Sequence, residues 1–314
     1  MKKVLVGLVL SFAFLLIAVW FVIPQKIKVT STATYVASSQ GVFNFLAHQE
    51  NWKKWWPGQA IANKNDTMSL TVAGYDFNIS KILYHAYEIN FKKNSNNYSA
   101  LLKIISFKVD STGLELSTEI NAGVNPINRI NKYFRARNIK KVFDNIVDSL
   151  AQYTQKVKNI YGFDIKNEKV QMQYLLSANM QLTHYPSTEE VYSLIGKIRS
   201  YLKTTDAKEE FSPMLNIETK DSFHYFVRIG MPVNKKLPGT DNISVKQMLK
   251  NGNILVTEVT GGKNTIEYAL KQIEKYISDH QRSIVAIPFQ SLETDRLTVT
   301  DSTKWITKIY YPVI

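Results

Sequence analysis

The sequence predicts an α+β protein: an N-terminal transmembrane helix, then an antiparallel sheet closed by a long helix, then a two-repeat strand-helix-strand-strand domain. Three observations carry that prediction. An uncharged apolar run opens the chain, strand-like alternation then gives way to one long helical period, and the second half can be laid on itself. At 314 residues the chain is longer than one core usually organises, and 45% apolar residues suffice for two.

Val4 to Ile23 contains no charged residue. At about 1.5 Å per residue such a run reaches roughly 30 Å, the thickness of a bilayer's hydrocarbon layer. A cleaved signal peptide is the alternative, but its apolar region is shorter and ends in small residues, whereas this one ends Trp20-Phe21-Val22-Ile23-Pro24. Lys2 and Lys3 precede the run and Lys26 and Lys28 follow it, so charge asymmetry, helped by the free amino terminus, pushes only slightly toward a cytoplasmic N-terminus. The expectation is a single-pass membrane protein, anchored through residues 4–23, with its bulk on the extracytoplasmic side.

The net charge of +13 is unevenly placed. Pro24 to Tyr161 holds 18 Lys plus Arg against 9 Asp plus Glu, while Gly162 to Ile314 holds 19 against 17. The basic half would be drawn to anionic lipid headgroups, each nearby cation contributing up to about 1 kcal/mol; the plainer reading is a lysine-rich solvated surface. No reading motif accompanies the charge, so nucleic acid is not an expected partner. With no cysteine, a lipoprotein thioester, a disulfide, a thiolate nucleophile and cysteine metal sites are all excluded.

After the anchor, Lys28 to Ala37 is β-branched and alternating, which reads as a strand. Ser39 can cap a short helix carrying Val42, Phe43, Leu46 and Ala47, and the stretch from Glu50 to Gln59, rich in tryptophan, ends at Pro57-Gly58. Strand-like runs follow at Met68 to Ala73, Tyr75 to Tyr84, Glu88 to Lys92, Tyr98 to Val109 and Leu114 to Ala122, with turn signals at Asn94-Ser95-Asn96-Asn97 and Asp110-Ser111-Thr112-Gly113. Asn125-Pro126 then starts a long amphipathic helix running to Tyr161-Gly162, with a break expected near Asn138. Its basic residues Arg129, Lys132, Arg135, Arg137, Lys140 and Lys141 read as a wet face or as the part that meets headgroups. This order, with Asn51-Trp52-Lys53-Lys54-Trp55-Trp56-Pro57, resembles the helix-grip fold of the START-like (SRPBCC, polyketide cyclase/dehydrase-like) superfamily, over about residues 28 to 161. The resemblance implies a cavity between sheet and helix, closed at one end by inward-packing tryptophans; adjacent Trp55 and Trp56 cannot both face the same way, so one of them is expected to approach the ligand space or the membrane.

In the second half, Phe226 to Val233 matches Ile306 to Val313, and the helix from Ser187 to Thr204 matches Gly261 to His280. The ending DSTKWITKIYYPV, Asp301 to Val313, resembles the GyrI-like, bacterial effector-binding domain over about residues 168 to 314. That resemblance implies a cleft for small organic molecules at a pseudo-twofold axis, in some members with hydrolysis; with the anchor expected at residues 4–23, the expected place is a bacterial inner membrane. Where that family commonly has glutamate before Ile-Tyr, this chain has Lys308, which points to an anionic or neutral ligand, with Glu258 or Glu293 as replacement carboxylates. The domains expected are thus 1–24, 25–162 and 168–314.

No phosphate cradle or nucleophile elbow appears, and His48, His85, His184, His224 and His280 lack metal-ligand spacing, so no cofactor, metal or catalytic residue is expected. The expected function is binding of a small hydrophobic or amphipathic molecule. The residues chosen are Trp52, Trp55, Tyr84 and Phe107 for the first pocket and Tyr174, Phe226, Arg228, Lys308 and Tyr310 for the second, aromatics giving area and cations orientation. A hydrolase with Glu258 or Glu293 activating water, and an assembly module with filled cores, are the alternatives.

Overall fold

The structure, a computed structural model, describes residues 7, 10, 14, 18–62, 68–221 and 223–314. Most of the run expected to span a membrane, residues 4–23, lies outside these. Among the described residues no helix is long and apolar enough to cross a membrane. Of the described residues in that run, 7, 10, 14 and 18–22 are helical. The expected placement as a single-pass inner-membrane protein is corrected accordingly. The chain divides into two compact units, Met1–Lys156 and Val157–Ile314.

The first unit is a curled antiparallel sheet with a long helix. Its elements are β1 (Lys26–Tyr35), α1 (Ser39–Ala47), a 3-10 turn (Gln49–Lys54), β2 (Gln59–Ala62), β3 (Met68–Val72), β4 (Tyr75–Leu83), β5 (Ala86–Lys93), β6 (Asn96–Lys108), β7 (Ser111–Asn121) and α2 (Pro126–Thr154). The order β1-β7-β6-β5-β4-β3-β2 is a meander whose first strand returns beside its last, Lys26 opposite Asn121 through Tyr35 opposite Thr112. Two consecutive positive-φ residues, Ala73 (52°) and Gly74 (75°), turn β3 into β4, the backbone a tight hairpin requires. Ser38, one residue before the cap expected, accepts from the Gly41 amide at 3.2 Å and starts α1.

Asn125 caps α2, its side chain accepting from Ile127 N (2.9 Å) and Asn128 N (3.2 Å), with Pro126 in the first turn. The helix runs unbroken through Asn138 and is interrupted only after Thr154, before a short α3 (Val157–Tyr161) that belongs to the second unit. It packs on β1 and β7 through Ala136, Ile139, Val142, Phe143, Ile146, Val147 and Leu150, whereas Ile127 and Phe134 in its first turns are exposed. Arg129 is not on a wet face. It is buried, and its guanidinium donates to Gly123 O (2.8 Å), Ile23 O (2.9 Å) and Trp20 O (3.3 Å).

The second unit holds β8 (Lys166–Lys169), β9 (Tyr174–Leu182), α4 (Thr188–Leu202), β10 (Met214–Thr219), β11 (Tyr225–Val233), β12 (Ser244–Gln247), β13 (Asn253–Thr260), α5 (Lys263–Asp279), β14 (Phe289–Leu292) and β15 (Ile306–Pro312). The sheet order β12-β9-β11-β10-β14-β15-β13-β8 reads alike outward from the β10–β14 junction. That junction is short, Met214 opposite Ser291 and Leu215 opposite Gln290. Both helices cover one face: Leu194, Ile195 and Ile198 of α4 pack with Val227 and Ile229, and Ile266, Ala269 and Ile273 of α5 pack with Leu255 and Ile309. Strand alternation sends a second apolar set to the opposite face, namely Val170, Met172, Met214, Ile254, Val256 and Phe289, with Tyr310 against them.

Candidate functional site

On the face that the helices leave uncovered, a cleft of about 760 Å³ runs past the ends of β10 and β14 as far as Tyr192 and Arg199 of α4. Its placement follows from β15. Thr307, Ile309 and Tyr311 are buried beneath the helices, so Lys308 and Tyr310 between them fall on the cleft side. Tyr310 stacks on Phe289, ring centroids 4.9 Å apart at 14°, above Met172, Met214 and Ile254.

Charge surrounds this apolar floor. Burial pushes the Tyr310 hydroxyl up to about 12, and the carboxylates of Glu293, Glu168 and Glu258 add to the effect. The phenol is therefore a neutral hydrogen-bonding group at any ordinary pH. Glu293 is held in place by Ser291 Oγ, donating to Oε1 at 2.8 Å, and by Ser212 Oγ, donating to Oε2 at 3.3 Å. Arg199 forms a two-pronged pair with Glu209 at 2.9 and 3.1 Å, which consumes its charge locally. Lys308 lies opposite Glu258 on β13 and Ser291 on β14. A neighbouring hollow of about 600 Å³ holds Glu258, and Glu168 and Lys308 border both spaces.

Of the residues chosen from the sequence, Lys308 and Tyr310 line the cleft. Tyr174 does not, because it follows the even-numbered register of β9 with Leu176 and Ala178 and packs on the helix-covered face. Arg228 and Phe226 share the uncovered face but are engaged with each other and with β10. The guanidinium lies 4.3 Å from the Phe226 ring and donates to Asn216 Oδ1 (2.7 Å) and Glu218 Oε2 (2.6 Å).

The first set, Trp52, Trp55, Tyr84 and Phe107, is not brought together around a hollow. Tyr84 is 90% exposed and Phe107 60% exposed. Phe107 lies over Gly113, where a Cβ would come within 2.6 Å of the ring, so it serves as cover for a strand glycine. Trp52, Trp55 and Trp56 are all buried; the chain leaves helical geometry at Trp55 (φ −127°, ψ −14°), so neighbours need not diverge. Their rings join a continuous series, Tyr87–Trp52–Trp55–Trp56–Phe77–Phe91–Phe143, with successive centroids 5.2 to 5.7 Å apart. This series occupies the space between sheet and α2 where a pocket was expected. A groove of about 620 Å³ in this unit follows polar residues such as Asp76, Asn78, Asn90 and Lys92, which alternate with the inward rings.

Several cleft residues escaped sequence reasoning. Glu168 sits on β8, an edge strand whose four residues are all exposed and carry no apolar alternation. Met172, Met214 and Ser212 lie in or beside short connections without a chemical signature. The histidines are in ordinary settings: His184 lies 3.0 Å from Glu190, His224 2.8 Å from Asp221, and His85 stacks on Phe43.

No family model matches the chain, and no curated protein matches it. Among solved structures it is similar to the EcmrR C-terminal domain (14% identity, TM-score 0.42, 48% of this chain and 98% of that one). It is also similar to the Zhui aromatase/cyclase from Streptomyces sp. R1128 (11%, 0.30, 42% and 94%) and to a hydrolase from Listeria innocua (8%, 0.37, 48% and 91%). At such identities and TM-scores no residue role transfers.

Proposed function

We propose that the second unit is a GyrI-like binding domain, preceded by a START-like helix-grip unit, and that its cleft takes up a small amphipathic molecule bearing a protonated amine, without transforming it. The observation that carries this is the position of Tyr310, whose ring is part of an apolar floor and whose hydroxyl lies in the field of three carboxylates. The floor supplies contact area at about 25 cal/mol per Å² removed from water. The carboxylates supply the sign.

Lys308 alone argued for an anionic or neutral guest. In register it faces Glu258, and Glu168 and Glu293 remain on the cleft side, so the local balance is acidic despite the lysine. A volume of about 760 Å³ lies within the range of small-molecule sites. Glu293 suits a fixed charge better than a water-activating base, since both of its oxygens already accept serine hydroxyls.

The test is calorimetric titration of the protein with 4-phenylbutylamine, 4-phenylbutanol and 4-phenylbutyrate, which share one apolar body. The amine binds tightest, and Glu293→Gln erases its advantage over the alcohol. A preference for the butyrate that disappears in Lys308→Gln would reverse the assignment, and equal binding of all three would reduce the cleft to an apolar trap.

A further inference from the structure

A separate hollow of about 240 Å³ lies on the helix-covered side of the β10–β14 junction, between the beginnings of α4 and α5. Its walls include Tyr185, Tyr192, Ile217 and Trp305, and its cations are Lys263 and Arg296. Tyr192 also borders the cleft; the other five do not.

Arg296 is the unusual member. It is mostly buried, its guanidinium lies 4.6 Å from the Trp305 ring, and Nη2 donates to the fully buried Thr307 Oγ1 at 2.9 Å. Its Nε–H is buried without an acceptor. Among the described residues no carboxylate forms an ion pair with it, and burial pulls its pKa down. A guanidinium withdrawn from water and left without a counter-ion is unfavourable, and its planar fork matches an oxyanion. Lys263, half exposed, sits 3.6 Å from the Tyr185 ring centroid. The nearby negative groups are Glu267, 3.8 Å from Lys263 and raising the Tyr185 pKa, and Asp295, which acts on Tyr192.

We infer that this hollow is a second binding site, for a small planar aromatic anion whose charged oxygens meet Arg296 and Lys263 and whose ring lies among Trp305, Tyr192 and Ile217. Its size suits a single-ring compound. The opposite sign to that proposed for the cleft makes the two sites separable with simple probes.

Benzoate titrated into the full chain, followed by tryptophan fluorescence and calorimetry, tests this, with benzylamine and inorganic phosphate as contrasts. Benzoate binds, Arg296→Gln weakens it at least tenfold, Lys263→Gln weakens it a few-fold, and Lys308→Gln leaves it unchanged. Glu267→Gln, which removes the competing carboxylate, tightens it two- to threefold and keeps the test decisive if Arg296→Gln fails to fold. Absence of benzoate binding, equal binding of benzylamine, loss of benzoate binding in Lys308→Gln, or an unchanged affinity in both Lys263→Gln and Glu267→Gln would each overturn the site.

Discussion

Both units pair an antiparallel sheet with helices on one side, yet they treat their apolar faces differently. The first unit fills the space beneath α2 with tryptophan, tyrosine and phenylalanine rings in unbroken contact. The second packs one apolar set under two helices and a further buried set, of valines, methionines, an isoleucine and one stacked aromatic pair, on the opposite face beside the cleft. Large rings fill the space between a sheet and its helix, whereas medium-sized side chains on a face without helices border a cleft. A sheet gripped by a helix therefore says little about a cavity until the volumes of the inward residues are counted.

The sharpest way to break this comparison is Trp52→Ala. Trp52 is fully buried and its Nε1 donates to Leu46 O at 2.8 Å. Deleting such a ring costs about 3–5 kcal/mol. Denaturant titration should show the first unit unfolding early while binding of 4-phenylbutylamine to the cleft persists. Loss of amine binding in step with that unfolding would mean that the two units do not divide stability and binding as argued.

Alkaline titration sharpens the comparison with one tyrosine from each unit. Burial raises Tyr35 and Tyr310 alike to about 12 from an ordinary 10.0. A raised folded pKa means that the unfolded chain releases its proton first. The stabilisation is therefore complete below pH 10 and is lost as pH rises toward about 12. Tyr35 accounts for up to roughly 3 kcal/mol, and the less buried Tyr310 for less. Denaturation midpoints should be flat below pH 10 and fall above it, and Tyr35→Phe should remove part of the fall in the first unit, where burial also raises Tyr75, Tyr87 and Tyr153. A Tyr310 phenolate appearing near pH 10 in ultraviolet absorbance would show that its ring is more open to water than its packing implies.

Smaller still is the effect of Glu293→Gln on the cleft, about 1.4 kcal/mol in amine binding, or tenfold. Stability should move by no more than about 0.5 kcal/mol, since Glu293 is exposed. A large stability change instead would make the serine–glutamate contacts a structural clamp.

Much of the fold was legible because period and capping are local. Alternation located most strands, Asn125-Pro126 marked the start of α2, and the internal match between Ser187–Thr204 and Gly261–His280 located α4 and α5. What sequence did not reveal is which face each period addresses. Tyr174 and Tyr310 look alike as strand tyrosines, but register puts the first beneath α4 and the second in the cleft. Tyr84 and Phe107 carry the right chemistry for a pocket, yet one lies in a turn and the other covers Gly113. Glu168 carries no site signal in the sequence because the edge strand β8 holds to β13 through its backbone and one Lys169–Asn253 side-chain bond at 2.8 Å, which leaves no hydrophobic signature. Arg129 read as one more surface cation, since carbonyl acceptors from residues far along the chain cannot be seen in a helical wheel.

The smallest effects belong to the helix caps, where the two units should behave alike. Asn125 accepts two amides at the start of α2, and Ser187 accepts the Glu190 amide at 3.2 Å while Glu190 Oε2 accepts the Ser187 amide at 2.8 Å. Replacing either cap by alanine leaves first-turn amides without a side-chain acceptor and costs about 1 kcal/mol of the stability of its own unit. If both losses match, the difference between the units lies in how their sheet faces are filled and not in how their helices are started. Ser187 also borders the small hollow holding Arg296, so a Ser187→Ala loss well above that of Asn125→Ala would show that this cap also holds the walls of that space in place.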